Sequence, residues 1–211
     1  MSNILIVDDH PIVRRGLKNI LSDESSFTVT EAASGHEALN LIKEQVFDLA
    51  IVDLDLPEIS GLELLKEIKR TNKQLHVLIL SVYPEDQFAV RVLKCGAAGF
   101  ISKEAAPEQL VSAIKKILKG GRHISERVAD LLLDHFDGQN RTHPHDKLSD
   151  REFQILGLIG EGKPIKQIAE ELSLSAPTVS TYRARILNKL EMKSTAELVR
   201  YAIQNQISRP K

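Results

Sequence analysis

The sequence lacks the features that mark a secreted or membrane-embedded protein. Cys95 is the only cysteine among 211 residues, so no intramolecular disulfide can form, as is usual in a reducing compartment. No apolar run approaches the roughly 20 residues that a membrane-spanning helix needs. Residues 1–3 carry no basic charge and the apolar run 4–7 is too short for a signal peptide. We therefore expect a cytoplasmic protein without a membrane partner.

The overall charge of the chain is nearly balanced, so it does not point to a strongly charged partner. The net charge is −1, and 42% apolar with 27% charged residues is typical of a soluble globular protein of one or two domains. The balance differs along the chain: residues 146–211 carry a net charge of +3 and residues 1–145 a net charge of −4. This difference favours two parts with two functions, although such differences also arise by chance.

Short apolar runs alternate with helical periodicity through the first 120 residues. The runs cover residues 4–7, 27–29, 49–52, 75–80 and 99–101. Helical segments lie near 11–22, 35–46, 61–71, 85–95 and 107–119. Strands that are apolar throughout are buried on both faces, as in a parallel sheet. We expect an α/β domain with a doubly wound, five-stranded parallel sheet in the flavodoxin-like order 2-1-3-4-5.

The pattern changes after residue 120. Residues 125–136 are predicted to form a helix, and the polar, aperiodic residues 137–147 are predicted to form a linker. Beyond them the sequence predicts only helices, near 149–162, 164–172, 176–190 and 194–205. Two capping boxes, Ser149 with Glu152 and Ser194 with Glu197, support two of these. The predicted domains are residues 1–120, a helix and linker at 121–147, and a small four-helix domain at 148–211.

Two apolar strands end on aspartates. ILIVDDH places Asp8 and Asp9 after the first strand, and IVDLDLP places Asp53 at the end of the third. In the expected strand order these two strands are neighbours, and ligands bind at the carboxyl ends of such strands. Clustered carboxylates repel one another unless a cation joins them. Oxygen ligands with room for water suit Mg²⁺.

Two further strand ends add complementary groups. Ser81 follows the fourth strand with a hydroxyl, and Lys103 follows the fifth with an ammonium. A hydrogen-bond donor and a point charge are what a phosphoryl group needs. Each residue alone is commonly a cap, a turn residue or a solvated lysine. Together they predict a phosphoryl-accepting site with an aspartyl-phosphate intermediate.

Residues 1 to about 120 resemble the receiver domain of two-component response regulators, through IVDDH, IVDLDLP, ILS and GFISK. The resemblance implies that Asp53 is the phosphoacceptor. It also implies that Asp8, Asp9 and Asp53 hold Mg²⁺ with the backbone carbonyl of Asp55. A sensor histidine kinase would be the phosphodonor.

The resemblance also implies how phosphorylation is sensed. Ser81 would be the switch hydroxyl, Lys103 the phosphate-facing lysine, and Phe100 the aromatic residue that rotates. An ordinary core position is the alternative for Phe100. Pro57 matches the family proline, whereas Glu104 stands where many receivers have proline.

Residues 164–190 have the spacing of a helix-turn-helix. The second helix places its apolar side chains in one direction, and the opposite face is small, polar and basic, which suits readout of bases in a major groove. These predicted base-facing residues are Ser180, Thr181, Ala184, Arg185 and Asn188. Thr178, Arg183 and Lys189 are predicted phosphate contacts. The alternative is an amphipathic helix with a solvated face.

This region resembles the LuxR-type helix-turn-helix, through LSDREFQIL and IKQIAEELSLSAPTVSTYRARILNKL. It departs at Ser180, where Lys is frequent, and at Tyr182, where His is frequent. The resemblance implies double-stranded DNA as a partner and a dimer on DNA formed through Leu198, Val199 and Ala202. Packing of these residues within their own domain is the alternative.

The two resemblances together indicate a DNA-binding response regulator of the NarL/FixJ class. We expect a transcription factor and homodimer switched by Mg²⁺-dependent phosphorylation of Asp53, without turnover of a substrate. One alternative is a dimer that binds DNA independently of phosphorylation. Another is a Mg²⁺-dependent phosphohydrolase of the haloacid dehalogenase type, whose signature Asp53-Leu54-Asp55 imitates, although Pro57 replaces its threonine.

Overall fold

The computed structural model of the protein divides into two compact units, Met1–Leu133 and Asp134–Lys211. It describes residues 1–82, 85–136, 143–205 and 207. Within those ranges, no helix is both long enough and apolar enough to cross a membrane.

The first unit is built around a five-stranded parallel sheet of order β2-β1-β3-β4-β5, which confirms the predicted topology. The strands are β1 (Ser2–Val7), β2 (Phe27–Ala32), β3 (Leu49–Asp53), β4 (His76–Ser81) and β5 (Gly99–Ser102). The helices are α1 (Pro11–Ser22), α2 (Gly35–Glu44), α3 (Gly61–Thr71), α4 (Glu85–Lys94) and α5 (Ala106–Leu118), and α6 (Glu126–Phe136) begins in this unit.

The apolar runs of the central strands form the core of this unit. All five residues of β3 are buried, as are Ile4 and Ile6 of β1. Leu17 and Leu21 of α1 and several residues of α5 pack against them in one hydrophobic cluster. A sheet covered on both faces explains why these strands show no alternation of polar and apolar residues.

The register of the sheet brings the four polar strand ends to one edge. Val7 pairs with Val52, so Asp8 and Asp53 follow at the same level on neighbouring strands. Asp53 in turn pairs with Leu80, one residue before Ser81. Ser81 pairs with Ser102, directly before Lys103. Asp8 and Asp53 thus follow their strands at one level, and Ser81 and Lys103 lie one and two residues further along, so the four side chains come to the same edge.

The chain after α5 returns to the outer side of β5. The N–H of His123 donates to the carbonyl of Ala98 at 3.0 Å, and the carbonyl of His123 accepts from the N–H of Phe100 at 3.1 Å. This short bridge lies beside Gly99, where a Cβ would stand 2.7 Å from the carbonyl oxygen of His123. The chain just after α5 therefore pairs with the edge of this sheet.

The second unit contains the four predicted helices. They are α7 (Asp150–Gly160), α8 (Ile165–Glu171), α9 (Ala176–Lys189) and α10 (Thr195–Gln204). The capping box of Ser149 and Glu152 opens α7 as predicted. Ser194 caps α10, but the Glu197 carboxylate accepts from the N–H of Lys193. α7 is buried along its length because α8, α9 and α10 all contact it.

The last residues of the predicted linker have regular structure. Pro144–Lys147 forms one turn of 3₁₀ helix, because the Asp146 carboxylate accepts from the N–H of His143 at 2.9 Å. Nδ1 of His145 lies 2.9 Å from the Tyr201 hydroxyl, which fixes this turn to α10. Residues 137–142 of the predicted linker lie outside the described residues.

Candidate functional site

Three aspartates and one histidine meet at the carboxyl edge of the sheet. Asp8, Asp9, His10 and Asp53 each offer a ligand atom, and these atoms all lie within 4.8 Å of one another. Asp8 and Asp53 are 1% and 2% exposed, so both carboxylates are removed from water. The parallel register accounts for the meeting, because Asp8 and Asp53 extend neighbouring strands β1 and β3.

Lys103 joins two of these carboxylates. Its Nζ lies 2.7 Å from Oδ2 of Asp8 and 2.7 Å from Oδ2 of Asp53. Burial alone would lower the pKa of Lys103, but the charges of Asp53 and Asp8 outweigh it, so this pKa lies above its usual value. The ammonium therefore stays charged, and one positive charge is shared between two negative ones.

Asp53 is only partly satisfied by hydrogen bonds, because Lys103 contacts one of its two carboxylate oxygens. Burial raises the pKa of Asp53 to about 7; Lys103 opposes this rise, and the charges of Asp8 and Asp55 add to it. Oδ1 of Asp53 is buried and has no hydrogen-bond partner among the described residues. A buried acceptor without a partner costs about 1–3 kcal/mol. The cluster thus has an acceptor atom directed at a position that a cation or a proton can fill.

These residues fit a magnesium ion. Mg²⁺ takes oxygen ligands and keeps several waters, which the partly exposed Asp9 beside the buried Asp8 and Asp53 allows. The shared lysine leaves an excess of negative charge that a divalent cation would neutralise. The donor set therefore agrees with the expected metal.

His10 was missed by the sequence analysis. Its N–H donates to Oδ1 of Asp8 at 2.8 Å, and its Nδ1 lies 2.8 Å from Oδ1 of Asp9. The signal was its position directly after two aspartates and before Pro11, the first residue of α1. At that point the chain turns from β1 into α1, which leaves the imidazole against the acids.

Backbone contacts that support the site were also missed. Nη1 of Arg14 donates to the carbonyl oxygen of Asp8 at 2.6 Å. Gly61, the first residue of α3, donates its N–H to the carbonyl of Leu54 at 3.0 Å. A Cβ at Gly61 would overlap the carbonyl oxygen of Asp53. The start of α3 therefore lies directly against the end of β3, and only glycine fits there.

The remaining receiver residues occupy different environments. Ser81 is fully buried, and its carbonyl accepts the N–H of Lys103 at 2.8 Å. Phe100 is 1% exposed and belongs to the core in this structure. Asp55 is partly exposed, and its charge acts on the pKa of Asp53. The roles expected of these three residues stay predictions.

In the second unit, α9 presents the face that the sequence predicted. Val179 and Ile186 are fully buried on one side. The predicted base-facing residues lie on the other: Thr181, Ala184, Arg185 and Asn188 are exposed and Ser180 is partly exposed. The helix therefore has a free face of short side chains with one long cation.

The predicted phosphate contacts already have partners within the unit. Nζ of Lys189 lies 2.6 Å from Oε2 of Glu152, which is 3% exposed. Burial raises the pKa of Glu152, but hydrogen bonds from Lys189 and Ser149 outweigh burial, so this pKa is lowered. Nη1 of Arg183 donates to Oγ1 of Thr195.

Thr178 has a capping contact of its own, because its N–H donates to Oγ of Ser175 at 3.2 Å. The partners of Lys189 and Arg183 lie on other helices, which the sequence analysis did not anticipate. Phosphate contacts at all three residues stay predictions.

The predicted dimer contact through α10 was wrong for two residues. Leu198 and Ala202 are fully buried and lie on the helix that packs against α7. They are four residues apart, so they belong to the stripe of α10 that faces its own core. Val199 is partly exposed, and Ile203 exposes 57% of its surface.

Two protein-family models match separate parts of the chain. A model of the response regulator receiver domain matches residues 4–115. A model of the bacterial regulatory proteins of the luxR family matches residues 146–202. The first match contains Asp8, Asp53 and Lys103, and the second contains the whole of α9.

The chain also resembles characterised proteins over nearly its full length. It is 36% identical over 207 residues to the response regulator UvrY of Escherichia coli strain K12, covering 97% of this chain and 95% of UvrY. It is 37% identical over 207 residues to the response regulator GacA of Pseudomonas aeruginosa, covering 97% of each.

Among solved structures, it is similar to RcsB of Salmonella enterica serovar Typhimurium, bound to the promoter rprA in the presence of the phosphomimetic BeF₃⁻. The TM-score is 0.64 at 27% identity, over 95% of this chain and 97% of RcsB. The chain therefore belongs to the response regulators of the NarL/FixJ class, transcription regulators that join a receiver domain to a LuxR-type DNA-binding domain.

Proposed function

We propose that Asp53 accepts a phosphoryl group from the phosphohistidine of a sensor kinase, in a Mg²⁺-dependent reaction that switches DNA binding. The observation that carries this proposal is the buried Oδ1 of Asp53, which has no hydrogen-bond partner among the described residues although it lies within an acidic cluster. An acceptor atom kept free of partners is available as a nucleophile.

The chemistry needs little from the protein beyond position and charge. A carboxylate oxygen of Asp53 attacks phosphorus, the phosphorus–nitrogen bond of the phosphohistidine breaks, and the leaving imidazole takes a proton from solvent. Asp8, Asp9, Asp53 and the carbonyl of Asp55 would hold Mg²⁺, which supplies positive charge to the ionised Asp53 and to the phosphoryl oxygens. We expect no turnover of a separate substrate.

Lys103 would carry the signal away from Asp53. Its ammonium now contacts Asp53 and Asp8 at 2.7 Å each. A phosphoryl group on Asp53 brings new acceptor oxygens, and charge-assisted hydrogen bonds from Lys103 and the Ser81 hydroxyl to them would draw β4 and β5 toward the site. Phe100 lies in the core on β5, three residues before Lys103, so repacking of its ring would accompany that movement.

The output of the switch would be promoter binding by a homodimer. The exposed face of α9 is the proposed base-reading surface, with Thr178, Arg183 and Lys189 toward the phosphates. The solved RcsB complex contains promoter DNA and a phosphomimetic, which supports promoter binding by a phosphorylated form here. We also propose a cytoplasmic location, because a bacterial promoter lies on the chromosome. The domain boundaries proposed are those expected from the sequence, 1–120 and 148–211.

The test is intact mass after incubation with acetyl phosphate, with and without Mg²⁺. The wild type should gain one phosphoryl group only with Mg²⁺, and Asp53→Asn should gain none. Asp23→Asn, which changes an exposed aspartate at the end of α1, is the matched control and should behave as wild type. Absence of a mass gain in the wild type would refute the proposal and leave a DNA-binding dimer that does not respond to phosphorylation.

A further inference from the structure

Arg185, on the exposed face of α9, lies over the ring of the partly exposed Tyr182. Its Cζ is 5.7 Å from the centroid of the Tyr182 ring, within the distance at which a guanidinium is attracted to the face of a ring. Tyr182 is three residues earlier on the same helix and is partly exposed. The ring therefore restricts a side chain that would otherwise have many rotamers in solvent.

This contact sets Arg185 apart from the other two cations of the helix. Arg183 is hydrogen-bonded to Thr195, and Lys189 is paired with Glu152. Within the described residues, the guanidinium of Arg185 contacts the ring of Tyr182. A ring covers the flat face of a guanidinium and leaves the N–H groups along its edge available to a partner.

The position of Arg185 along the helix also matters. Side chains on a helix lean toward its N-terminus, so a guanidinium resting on Tyr182 is carried back toward the first half of α9. That half is what a recognition helix presents to base edges. The neighbouring Thr181, Ala184 and Ser180 are short, so Arg185 is the long donor of the predicted base-facing set.

We propose that Tyr182 positions Arg185 to donate two parallel hydrogen bonds to O6 and N7 of one guanine in each half-site. This inference rests on the proposed DNA-reading role of α9 and names the base that its cation reads. Arginine pairs in this way with guanine because its N–H fork matches the two acceptors in the major groove. Tyr182 is then a positioning residue, which acts through Arg185 without touching the base.

The experiment begins with a double-stranded DNA library that contains a randomised segment. The full-length protein, with and without acetyl phosphate and Mg²⁺, selects its preferred sequence. Affinities are then measured for that sequence and for a copy in which one guanine–cytosine pair per half-site is replaced by adenine–thymine. The quantity compared between variants is the ratio of the two affinities, because a ratio is insensitive to a fraction of unfolded protein.

For wild type, replacement of the guanine that Arg185 reads should weaken binding between about 5-fold and about 150-fold. Arg185→Ala should abolish this discrimination, and Arg185→Lys, which keeps the charge but lacks the fork, should lose most of it. Tyr182→Phe keeps the ring and should retain the ratio, whereas Tyr182→Leu should reduce it. Arg200→Ala removes an exposed charge from α10 and should leave the ratio unchanged.

Three outcomes would overturn the inference. Arg185 contacts phosphate if Arg185→Ala weakens binding to both DNAs equally and reduces the slope of log affinity against log salt concentration by about 1. If Tyr182→Leu keeps the wild-type ratio, the ring does not position Arg185. If the wild type selects no sequence in either phosphorylation state, the base-reading role of α9 fails as well. The first two outcomes leave that role intact.

Discussion

Lys103 and Asp53 form a 2.7 Å ion pair across the ends of two strands, between residues 50 positions apart in the chain. The lysine is 16% exposed and the aspartate 1% at the side chain, so water screens neither charge well. Because the same ammonium also neutralises Asp8, its removal would leave two buried carboxylates side by side.

Lys103→Met should therefore destabilise the protein at pH 8. Removal of one partner from a buried pair costs about 3–5 kcal/mol, and protonation of Asp53 recovers part of it at lower pH. Urea unfolding should show a smaller loss at pH 6 than at pH 8. The double variant Lys103→Met, Asp53→Asn should be more stable than Lys103→Met alone, and an equal or lower stability would contradict the shared-charge arrangement.

Asp53 should make the metal-free protein less stable as the pH rises. Its folded pKa of about 7 lies above the ordinary value of 3.8, so the folded state holds the proton more tightly than the unfolded chain. The resulting loss of stability begins above the ordinary pKa of the carboxyl group and is complete above about pH 7. A pKa shift of this size corresponds to roughly 4 kcal/mol.

The measurement is the free energy of unfolding of wild type and Asp53→Asn in EDTA between pH 4 and pH 8. The free energy of unfolding of Asp53→Asn should increase relative to that of the wild type as the pH rises, and the difference should then reach a plateau. Parallel curves for the two proteins would show that burial of Asp53 has no such cost.

Gly61→Ala should harm both stability and phosphorylation. The added Cβ overlaps the carbonyl oxygen of Asp53, so α3 and the end of β3 must separate, at a cost of about 1–3 kcal/mol. Gly16→Ala is the matched control in α1, because nothing lies within 4 Å of its Cβ, and it should stabilise by about 0.5–1 kcal/mol. Unfolding curves and the Mg²⁺ dependence of phosphorylation would be compared. Equal phosphorylation in both variants would contradict a link between Gly61 and the geometry of Asp53.

Lys189→Ala should destabilise the second unit whether or not DNA is present. It leaves the carboxylate of Glu152 buried without its cation, a loss of about 1–3 kcal/mol. The lowered pKa of Glu152 means that its contribution is present above the ordinary carboxyl pKa and is lost as pH falls through the folded value. The effect of Lys189→Ala should accordingly be larger at pH 7 than at pH 3. Exposed Lys166→Ala should change stability by less than about 0.5 kcal/mol at either pH.

Leu198→Ala should lower the free energy of unfolding by about 2–5 kcal/mol, because it opens a cavity beneath α10. Ile203→Ala on the exposed side should change it by less than about 0.5 kcal/mol. Thermal unfolding of both variants distinguishes the two sides of the helix. Similar losses would mean that Ile203 is also covered in solution.

The sequence predicted the sheet and its site because the relevant information is local. Each strand is an apolar run that ends on a polar residue, and a parallel sheet brings the ends of its strands to the same edge. Asp8, Asp53, Ser81 and Lys103 could therefore be found without coordinates.

The features that could not be predicted depend on contacts between residues that are far apart in the sequence. Periodicity shows that Leu198 and Ala202 share a stripe, but a dimer partner and α7 cover such a stripe equally well. The pairing of Lys189 with Glu152 joins residues 37 positions apart and leaves no pattern. Gly61 resembles any helix-starting glycine until the carbonyl of Asp53 is placed beside it.

The bridge through His123 has a consequence for aggregation. β5 is the last strand of the sheet, and an outermost strand offers unpaired N–H and carbonyl groups on which another protein's strand can add. Here the N–H of Phe100 and the carbonyl of Ala98 are already engaged by His123. A second copy cannot extend the sheet at that position without first displacing the chain that leads to α6. At that position self-association must therefore use side-chain surfaces, which can be reversed far more readily than strand addition.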